Sequence, residues 1–155
     1  TSFRLGRSQM LESGDNKSRI SGTLEAAFQE RGRREKSWRT RIVVDDRESG
    51  SPTHGVDCYK NGVAAEIEWS HKDPFFDRDL NNSRLLFDLR AISVGVIITK
   101  SEKFKGVFCD LGIHPKYGAS TTWMSKLLPR IEGGGGGGCP VVVFGITTRL
   151  FDKDG

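Results

Sequence analysis

Three carboxylates, Asp57, Glu66 and Glu68, lie on either side of an Asn61-Gly62 pair in this chain. Asn-Gly is the strongest short sequence signal for a two-residue β-hairpin loop, because a type I′ turn needs a positive φ at both central residues. With that loop, Asp57 lies directly across from Glu66, and Glu68 points to the same side of the pleated strand. The spacing therefore predicts that one face of a hairpin gathers all three carboxylates.

This arrangement brings like charges together, since the Cβ atoms of Asp57 and Glu66 would lie about 5 Å apart, and such pairs destabilise a sheet. A divalent cation between the carboxylates relieves the repulsion. Mg²⁺ in particular is held by one or two carboxylates together with water and a substrate phosphate. The alternative is an acidic hairpin that faces water and binds no metal. The coincidence of three carboxylates on one face favours the metal site.

The opposite face of the same hairpin is apolar and suits a protein core. It carries Val56, Cys58, Val63, Ala65, Ile67 and Trp69. The hairpin is therefore predicted to bury one face and to present its carboxylates from the other.

The length and composition of the chain indicate one domain with a substantial core. It has 155 residues, of which 35% are hydrophobic and 28% charged, and this is too short for two comfortable domains. No apolar run approaches the roughly 20 residues of a membrane span, and no secretory signal opens the sequence, so we expect a cytoplasmic protein without membrane contact. The three cysteines lack CxxC spacing, which indicates neither a disulfide framework nor a structural zinc site.

The net charge of +4 is unevenly distributed along the chain. Residues 1–41 contain ten Lys and Arg against five Asp and Glu, whereas residues 42–155 contain 14 against 15. A basic segment ahead of an acidic cluster suits a polyanionic substrate whose cleavage also needs a metal. A solvated basic helix has the same composition, so the charge distribution alone leaves both interpretations open.

The elements that precede the hairpin begin with residues 1–13, which show no clear periodicity and are expected to form a flexible arm. A helix is predicted from Asp15 to Gly32. Its candidate N-caps are Asp15, Asn16 and Ser18. Glu25 lies beside the apolar stripe of this helix, either as a surface residue or as an accessory carboxylate directed toward the metal site. A charged connector at 33–36, a strand at 38–44 and a loop at 45–53 follow.

The elements after the hairpin alternate between helix and buried strand. A helix begins at Asp73-Pro74, with Asp73 as its cap, and ends near Arg90. The sequence then predicts a strand at 92–99, a short helix at 104–111, a helix at 120–131, a glycine-rich flexible connector at 132–139 and a strand at 141–146. No Gly-Lys-Ser/Thr follows the glycines, which argues against a phosphate-binding loop. The order indicates a single α/β domain with a mixed central sheet, an antiparallel catalytic hairpin and flanking helices.

The Asp57…Glu66-x-Glu68 pattern is similar to the signature of the PD-(D/E)xK nucleases. Over residues 55–146 the chain also resembles the Bgl II-like type II restriction endonucleases. The similar segments are VDCYKNGVAAEIEW, the helix that follows it, the VGVII strand, the Gly-Ala-Ser segment at 118–120 and the closing CPVVVFGI. The resemblance implies a restriction-endonuclease-like fold. It also implies Mg²⁺-dependent hydrolysis of double-stranded DNA at a short palindromic site by a homodimer.

The family pattern places its metal-binding, catalytic carboxylates at Asp57 and Glu66. The third position is Lys in the general signature and Gln in close Bgl II relatives, but it is Glu68 here. Lys or Gln would orient the attacking water or contact the phosphate without adding negative charge. Glu68 could instead bind the metal or act as a general base, so its role stays open.

Base recognition requires hydrogen-bonding side chains that reach a DNA groove. Two segments suit this role, one leaving the catalytic strand and one rich in donors and acceptors, and the resemblance puts recognition loops in similar places. The candidate DNA-binding residues are Ser70, His71, Lys72, Lys116, Tyr117, Ser120, Thr121 and Thr122. An ordinary turn or helix cap is the alternative for each. A symmetric dimer would read the two halves of a palindrome.

Two other functions stay open at this point. A repair or recombination nuclease of the same superfamily would cut according to DNA structure rather than sequence. A DNA-binding module that no longer cleaves would make Glu68 a sign of lost chemistry.

Overall fold

The computed structural model of this protein describes residues 3–12 and 18–153, in which strands and helices alternate. The strands are β1 (Leu5–Gly6), β2 (Arg34–Lys36), β3 (Arg39–Val44), β4 (Arg47–Pro52), β5 (Val56–Lys60), β6 (Val63–Glu68), β7 (Val94–Lys100), β8 (Val141–Ile146) and β9 (Phe151–Asp152). The helices are α1 (Arg7–Leu11), α2 (Arg19–Gln29), α3 (Phe75–Asp88), α4 (Phe104–Asp110) and α5 (Met124–Glu132). A 3-10 turn at Thr148–Leu150 precedes β9.

The central sheet has the strand order β2-β5-β6-β7-β8. β2, β5 and β6 pair antiparallel, whereas β6, β7 and β8 pair parallel. Parallel neighbours need a crossover connection, and here α3 joins β6 to β7 while α4 and α5 lie between β7 and β8. The predicted α/β class with a mixed sheet is therefore confirmed.

The β5–β6 hairpin has the predicted turn and register. Asn61 and Gly62 have φ values of 49° and 79°, as a type I′ turn requires. The paired residues are Lys60 with Val63, Tyr59 with Ala64 and Cys58 with Ala65.

Helices cover both faces of the sheet. The face that carries Glu66 also carries its β7 partner Ile97, and Ile97 packs against residues of α3 and α5, Phe76, Leu80 and Leu127. The other face carries Cys58, Ala65, Ile67 and Trp69, which share a core with Ile20 and Leu24 of α2. Four residues of the predicted apolar face are thus buried in the core that includes α2. Val63 is only half-buried, and Val56 packs instead with Ala64 and with Leu86 of α3.

The caps of two helices differ in how well the sequence predicts them. Ser18 caps α2, since its side-chain oxygen accepts a hydrogen bond from the backbone N–H of Ser21 at 3.1 Å. The other two candidates, Asp15 and Asn16, lie outside the described residues. The prediction that Asp73 caps α3 is wrong, because Pro74 is the N-cap residue and the Asp73 carboxylate pairs with the Lys126 ammonium at 2.9 Å.

The expectation of a flexible arm is wrong for residues 3–12. Leu5 and Met10 are fully buried in the same core as Trp69. β1 also pairs in parallel with β9, which brings residues near the two ends of the sequence together. Long-range pairing of two-residue strands leaves no periodic signal in either segment, and this explains the failure.

The predictions for residues 33–53 are also corrected. The charged connector contains β2, an edge strand of the central sheet. The loop expected at 45–53 contains β4, which pairs with β3 in a separate two-stranded sheet. The turn of this second hairpin includes Asp45, at a φ of 52°. Its apolar residues Ile42, Val43 and Val44 are all exposed, so the hydrophobic end of the strand does not mark core.

The glycine-rich connector at 132–139 lies between α5 and β8 and is folded into hydrogen-bonded turns. The N–H of Gly135 donates to the carbonyl of Arg130, and that of Gly137 donates to the carbonyl of Gly134. In the part of the chain that the structure describes, no helix combines the length and the apolar character needed to cross a bilayer.

Candidate active site

Asp57 and Glu66 meet where the β5–β6 ladder stops. Beyond the Cys58–Ala65 pair, the backbone N–H of Asp57 donates to Glu66 Oε2 at 3.3 Å. The N–H of Ile67 donates to Asp57 Oδ2 at 2.9 Å. Side-chain oxygens therefore take the positions that backbone carbonyls would hold in a continued ladder, and the two carboxylates are fixed side by side.

Burial makes this pair of like charges costly. Glu66 is only 5% exposed. Burial, and then the charge of Asp57, raise the pKa of Glu66 to about 8 from its usual 4.5. The hairpin is therefore not an acidic surface bathed in water. Near neutral pH the pair needs either a proton or a cation.

Glu68 is held by His71 and Arg78. It is 1% exposed, with Oε2 at 2.9 Å from His71 Nδ1 and Oε1 at 3.4 Å from Arg78 Nη2. The hydrogen bond to Glu68 raises the pKa of the His71 imidazole, and the His71 ring stacks on Phe75 with a centroid separation of 4.6 Å. Both Glu68 oxygens are thus engaged by side chains rather than directed at the Asp57–Glu66 pair.

A fourth carboxylate, Asp79 of α3, belongs to the same cluster and was not predicted. It is 1% exposed, and its Oδ1 accepts from the Nε and Nη2 groups of Arg78 at 3.0 and 2.8 Å. Burial and the nearby charges of Glu68 and Glu66 raise its pKa to about 9. Asp79 falls on the inward stripe of its helix, one residue before Leu80. A charged residue on a buried stripe is the sequence signal that would have found it.

The donor set suits a small divalent cation bound through two carboxylates. In the described ranges, 3–12 and 18–153, no group of three or more His, Cys, Asp or Glu converges on one point. Mg²⁺ nevertheless needs only one or two protein carboxylates when a phosphate and water complete its coordination. The Asp57–Glu66 pair provides these, and its mutual repulsion is what a cation would relieve.

The two predicted recognition segments lie next to each other and close to Glu68. The N–H of Thr122 donates to the carbonyl of His71, and that of Asp73 donates to the carbonyl of Ser120, both at 2.9 Å. Lys72 Nζ also donates to Ser120 Oγ at 3.1 Å. The structure thus brings together residues that are about fifty positions apart in the sequence.

Burial divides the eight predicted DNA-binding residues. Lys72, Lys116 and Ser120 are exposed, Ser70 and His71 are half-buried, and Tyr117, Thr121 and Thr122 are buried. Tyr117 stacks on Phe108 at 4.4 Å between ring centroids, inside the aromatic core around Trp69. The side chains of Tyr117 and Thr122 thus do not reach the surface in this structure, and their DNA contacts stay a prediction.

Lys100 links the two recognition segments from the protein interior, and the sequence did not predict this role. It is fully buried at the end of β7, and its ammonium donates to the backbone carbonyls of Trp69 and Thr122. The ammonium also lies 4.7 Å from the ring centroid of Trp123. Burial lowers the pKa of Lys100 to about 7. Because Lys100 closes an apolar run, the sequence pattern indicated only the end of a strand.

Glu25 lies half-buried on α2, the helix that packs on the sheet face opposite Glu66 and Glu68. Its predicted role as an accessory carboxylate stays a prediction.

The chain is similar to a known protein family. The family model described as "Restriction endonuclease BglII/BglIII" matches residues 1–146 of the 155. The match includes the carboxylate hairpin, α3, both recognition segments and β8. No curated protein matches the chain.

Proposed function

Because this chain belongs to the restriction endonuclease BglII/BglIII family and is thus a type II site-specific deoxyribonuclease, we propose that it cuts double-stranded DNA at a short palindrome. The proposal includes Mg²⁺ as cofactor and a homodimer as the active form. The observation that carries it is the Asp57–Glu66 pair, because a buried carboxylate fixed beside a half-buried one is suited to hold a cation against a phosphodiester.

In this proposal Asp57 and Glu66 hold the metal. When bound, Mg²⁺ would polarise the phosphoryl oxygen and lower the pKa of a bound water. The two hydrogen bonds from backbone N–H groups keep both carboxylates in place without reorganisation. Glu68 serves as an anchor, since its oxygens orient His71 and Arg78 at the edge of the cluster.

The DNA contacts are assigned to the surface formed by the two adjoining segments. We place Ser70, His71, Lys72, Lys116, Ser120 and Thr121 there, although the Thr121 side chain is buried. A dimer would give each DNA strand its own set of carboxylates and each half-site its own reading surface.

The first test is digestion of plasmid DNA in Mg²⁺. We expect discrete fragments, whose ends define the recognition sequence. Random nicking, or cutting directed only by DNA structure, would favour a repair or recombination nuclease. Retarded migration without cutting at any Mg²⁺ concentration would favour a binding module.

Binding to the duplex identified in this way is expected to discriminate strongly by sequence. With Ca²⁺ in place of Mg²⁺, the specific duplex should bind about 10³-fold or more tightly than a scrambled one. Affinity should also fall with salt. A plot of the logarithm of the binding constant against the logarithm of the salt concentration should have a slope of about −0.9 for each phosphate that the protein neutralises. Titration by fluorescence anisotropy measures both quantities.

If Ser120 contacts a base, Ser120→Ala should weaken binding to the specific duplex by about 1–3 kcal/mol. Binding to the scrambled duplex should stay nearly unchanged, so the ratio of the two affinities should fall. Gln29→Ala is a suitable control, because Gln29 is exposed on α2, which packs on the sheet face opposite Glu66. Equal affinity for all duplexes, or a monomeric complex at saturating protein, would exclude the restriction-enzyme proposal.

Glu68 provides a further prediction. Glu68→Gln should keep measurable cleavage, because the amide oxygen can still accept a hydrogen bond from Arg78 or His71. Glu68→Ala should lose most of it, since both partners are released. Steady-state cleavage of the specific duplex tests this. Full activity in Glu68→Ala would remove Glu68 from the mechanism.

A further inference from the structure

Arg78 is the cation most closely tied to the carboxylate cluster, although no sequence signature indicates it. It lies in the first turns of α3, and two of its three guanidinium nitrogens are engaged. Nε and Nη2 donate to Asp79 Oδ1, and Nη2 also contacts Glu68 Oε1 at 3.4 Å. The guanidinium carbon lies 4.3 Å from the ring centroid of Phe75. One edge of the group is thereby clamped in a fixed orientation.

The other edge of the guanidinium is available. In residues 3–12 and 18–153, Arg78 Nη1 makes no hydrogen bond to a protein group, and it is not among the buried polar atoms. The side chain keeps 35% of its surface exposed. It lines an open cavity of about 290 Å³ together with Thr53, His54, Asn81, Asn82 and Leu85. A guanidinium has five N–H donors, so clamping one edge leaves donors for a ligand.

The charges around this edge identify the kind of ligand. The charges of Glu68 and Glu66 both act on Arg78, so the group lies within electrostatic range of the proposed metal pair as well as of its own partners. A DNA strand brought to Asp57 and Glu66 must place a phosphate against several carboxyl groups. A cation held in a fixed position within electrostatic range of Glu66 would offset that repulsion.

We propose that Arg78 binds a non-bridging oxygen of the phosphate at the cut position through Nη1, while Glu68 and Asp79 hold the guanidinium in place. This inference rests on the proposed function and deepens it. It makes Arg78 a residue that touches substrate, and it makes Glu68 and Asp79 positioning residues for it. It also gives a physical reason for a carboxylate at position 68: the negative charge of Glu68 anchors a cation supplied by the next helix.

The test is a double-mutant cycle between the protein and the DNA. Arg78→Gln is combined with a duplex that carries a neutral methylphosphonate at the cut position, and the binding affinity of each combination is measured in Ca²⁺. In the parent protein the neutral group should weaken binding about 10- to 100-fold, the range of a lost hydrogen bond to a charged group. In Arg78→Gln the part of that penalty that comes from the Arg78 hydrogen bond should disappear, and only the part that comes from the bound Ca²⁺ should remain. Cleavage of the unmodified duplex in Mg²⁺ should fall about 10²-fold, mainly in kcat.

Arg130→Gln is the matched control. The Arg130 guanidinium pairs at 2.9 Å with Asp77, a residue of α3 that lies outside the carboxylate cluster. Arg130→Gln should therefore show the full methylphosphonate penalty. Arg78→Lys guards against misfolding of the glutamine variant, because it keeps the charge. A lysine ammonium cannot bind Asp79 and Glu68 and also donate to the phosphate in the same geometry, so the methylphosphonate penalty of this variant should be intermediate. Thermal unfolding shows whether each variant is folded.

The possible results distinguish a failure of the role of Arg78 from a failure of the proposed function. A full penalty in Arg78→Gln or in Arg78→Lys, in a parent that cuts specifically, would overturn the role of Arg78 and leave the proposed function intact. A parent that neither cuts nor discriminates between duplexes would overturn both. A penalty that falls in Arg78→Gln but not in Arg130→Gln supports the assignment.

Discussion

Asp57→Asn and Glu66→Gln are each expected to reduce Mg²⁺-dependent cleavage by about 10³-fold or more, because each removes one of the two anionic ligands that the site offers the metal. The amides are nearly isosteric with the acids, and their oxygens can still accept the hydrogen bonds from Ile67 and Asp57. Cleavage of the specific duplex, followed over a range of Mg²⁺ concentrations, measures the loss.

Both variants should remain folded. Without metal, their midpoints of thermal unfolding should equal or exceed that of the parent, since neutralising one member of a close like-charge pair relieves repulsion. Asp77→Asn is the control, because Asp77 is an exposed carboxylate on α3 and its loss should leave cleavage unchanged. If both Asp57→Asn and Glu66→Gln unfolded, the carboxylates would be structural and the site assignment would fail.

The metal-free protein is expected to become less stable as pH rises from about 4.5 toward 8. The folded protein holds the Glu66 proton up to a pKa of about 8, against an ordinary value of 4.5. A group whose pKa is raised on folding contributes its full stabilisation below the ordinary pKa and loses it as pH passes the folded value. For Glu66 alone, the difference corresponds to about 4–5 kcal/mol.

Urea unfolding at pH 5, 6 and 7, without metal, measures this slope. The Lys100 ammonium does not obscure it: lowering the Lys100 pKa to about 7 changes stability with pH only above that value. Asp79 adds to the slope with the same sign, since its pKa is also raised. Glu66→Gln should flatten the curve, and Mg²⁺ should stabilise the parent more at pH 7 than at pH 5. Stability that rises from pH 5 to pH 7 would contradict the buried, protonated pair.

The sequence predicted the parts of the fold that depend on local rules. The register of the hairpin follows from Asn61-Gly62, because the chemistry of a two-residue turn determines which residues face each other. The β8 strand was predicted at its observed limits, since it is a short apolar run between glycines and a polar segment. The prediction that it is buried is wrong, because β8 is an edge strand whose Val142 and Phe144 are exposed. The carboxylates of the hairpin were found for the same local reason.

The parts that failed depend on contacts between distant segments. Nothing in the sequence near Leu5 indicates its parallel pairing with Phe151. Likewise, the polar residues of β4 predicted a loop, and only its pairing with β3 makes it a strand. In the site, Asp79 and Arg78 reach the hairpin from α3, and their proximity to Glu68 is set by helix packing rather than by spacing in the chain.

The buried Lys100 has a consequence for motion. Its single ammonium is shared by the carbonyl of Trp69, at the end of the strand that carries Glu68, and by that of Thr122, in the segment beside His71. Neither segment can be displaced by more than a fraction of an ångström without stretching a hydrogen bond that the other also uses. The two segments should therefore fluctuate as one body. If a DNA base displaced the segment that contains Ser120, the end of β6, which carries Glu66 and Glu68, should therefore move with it.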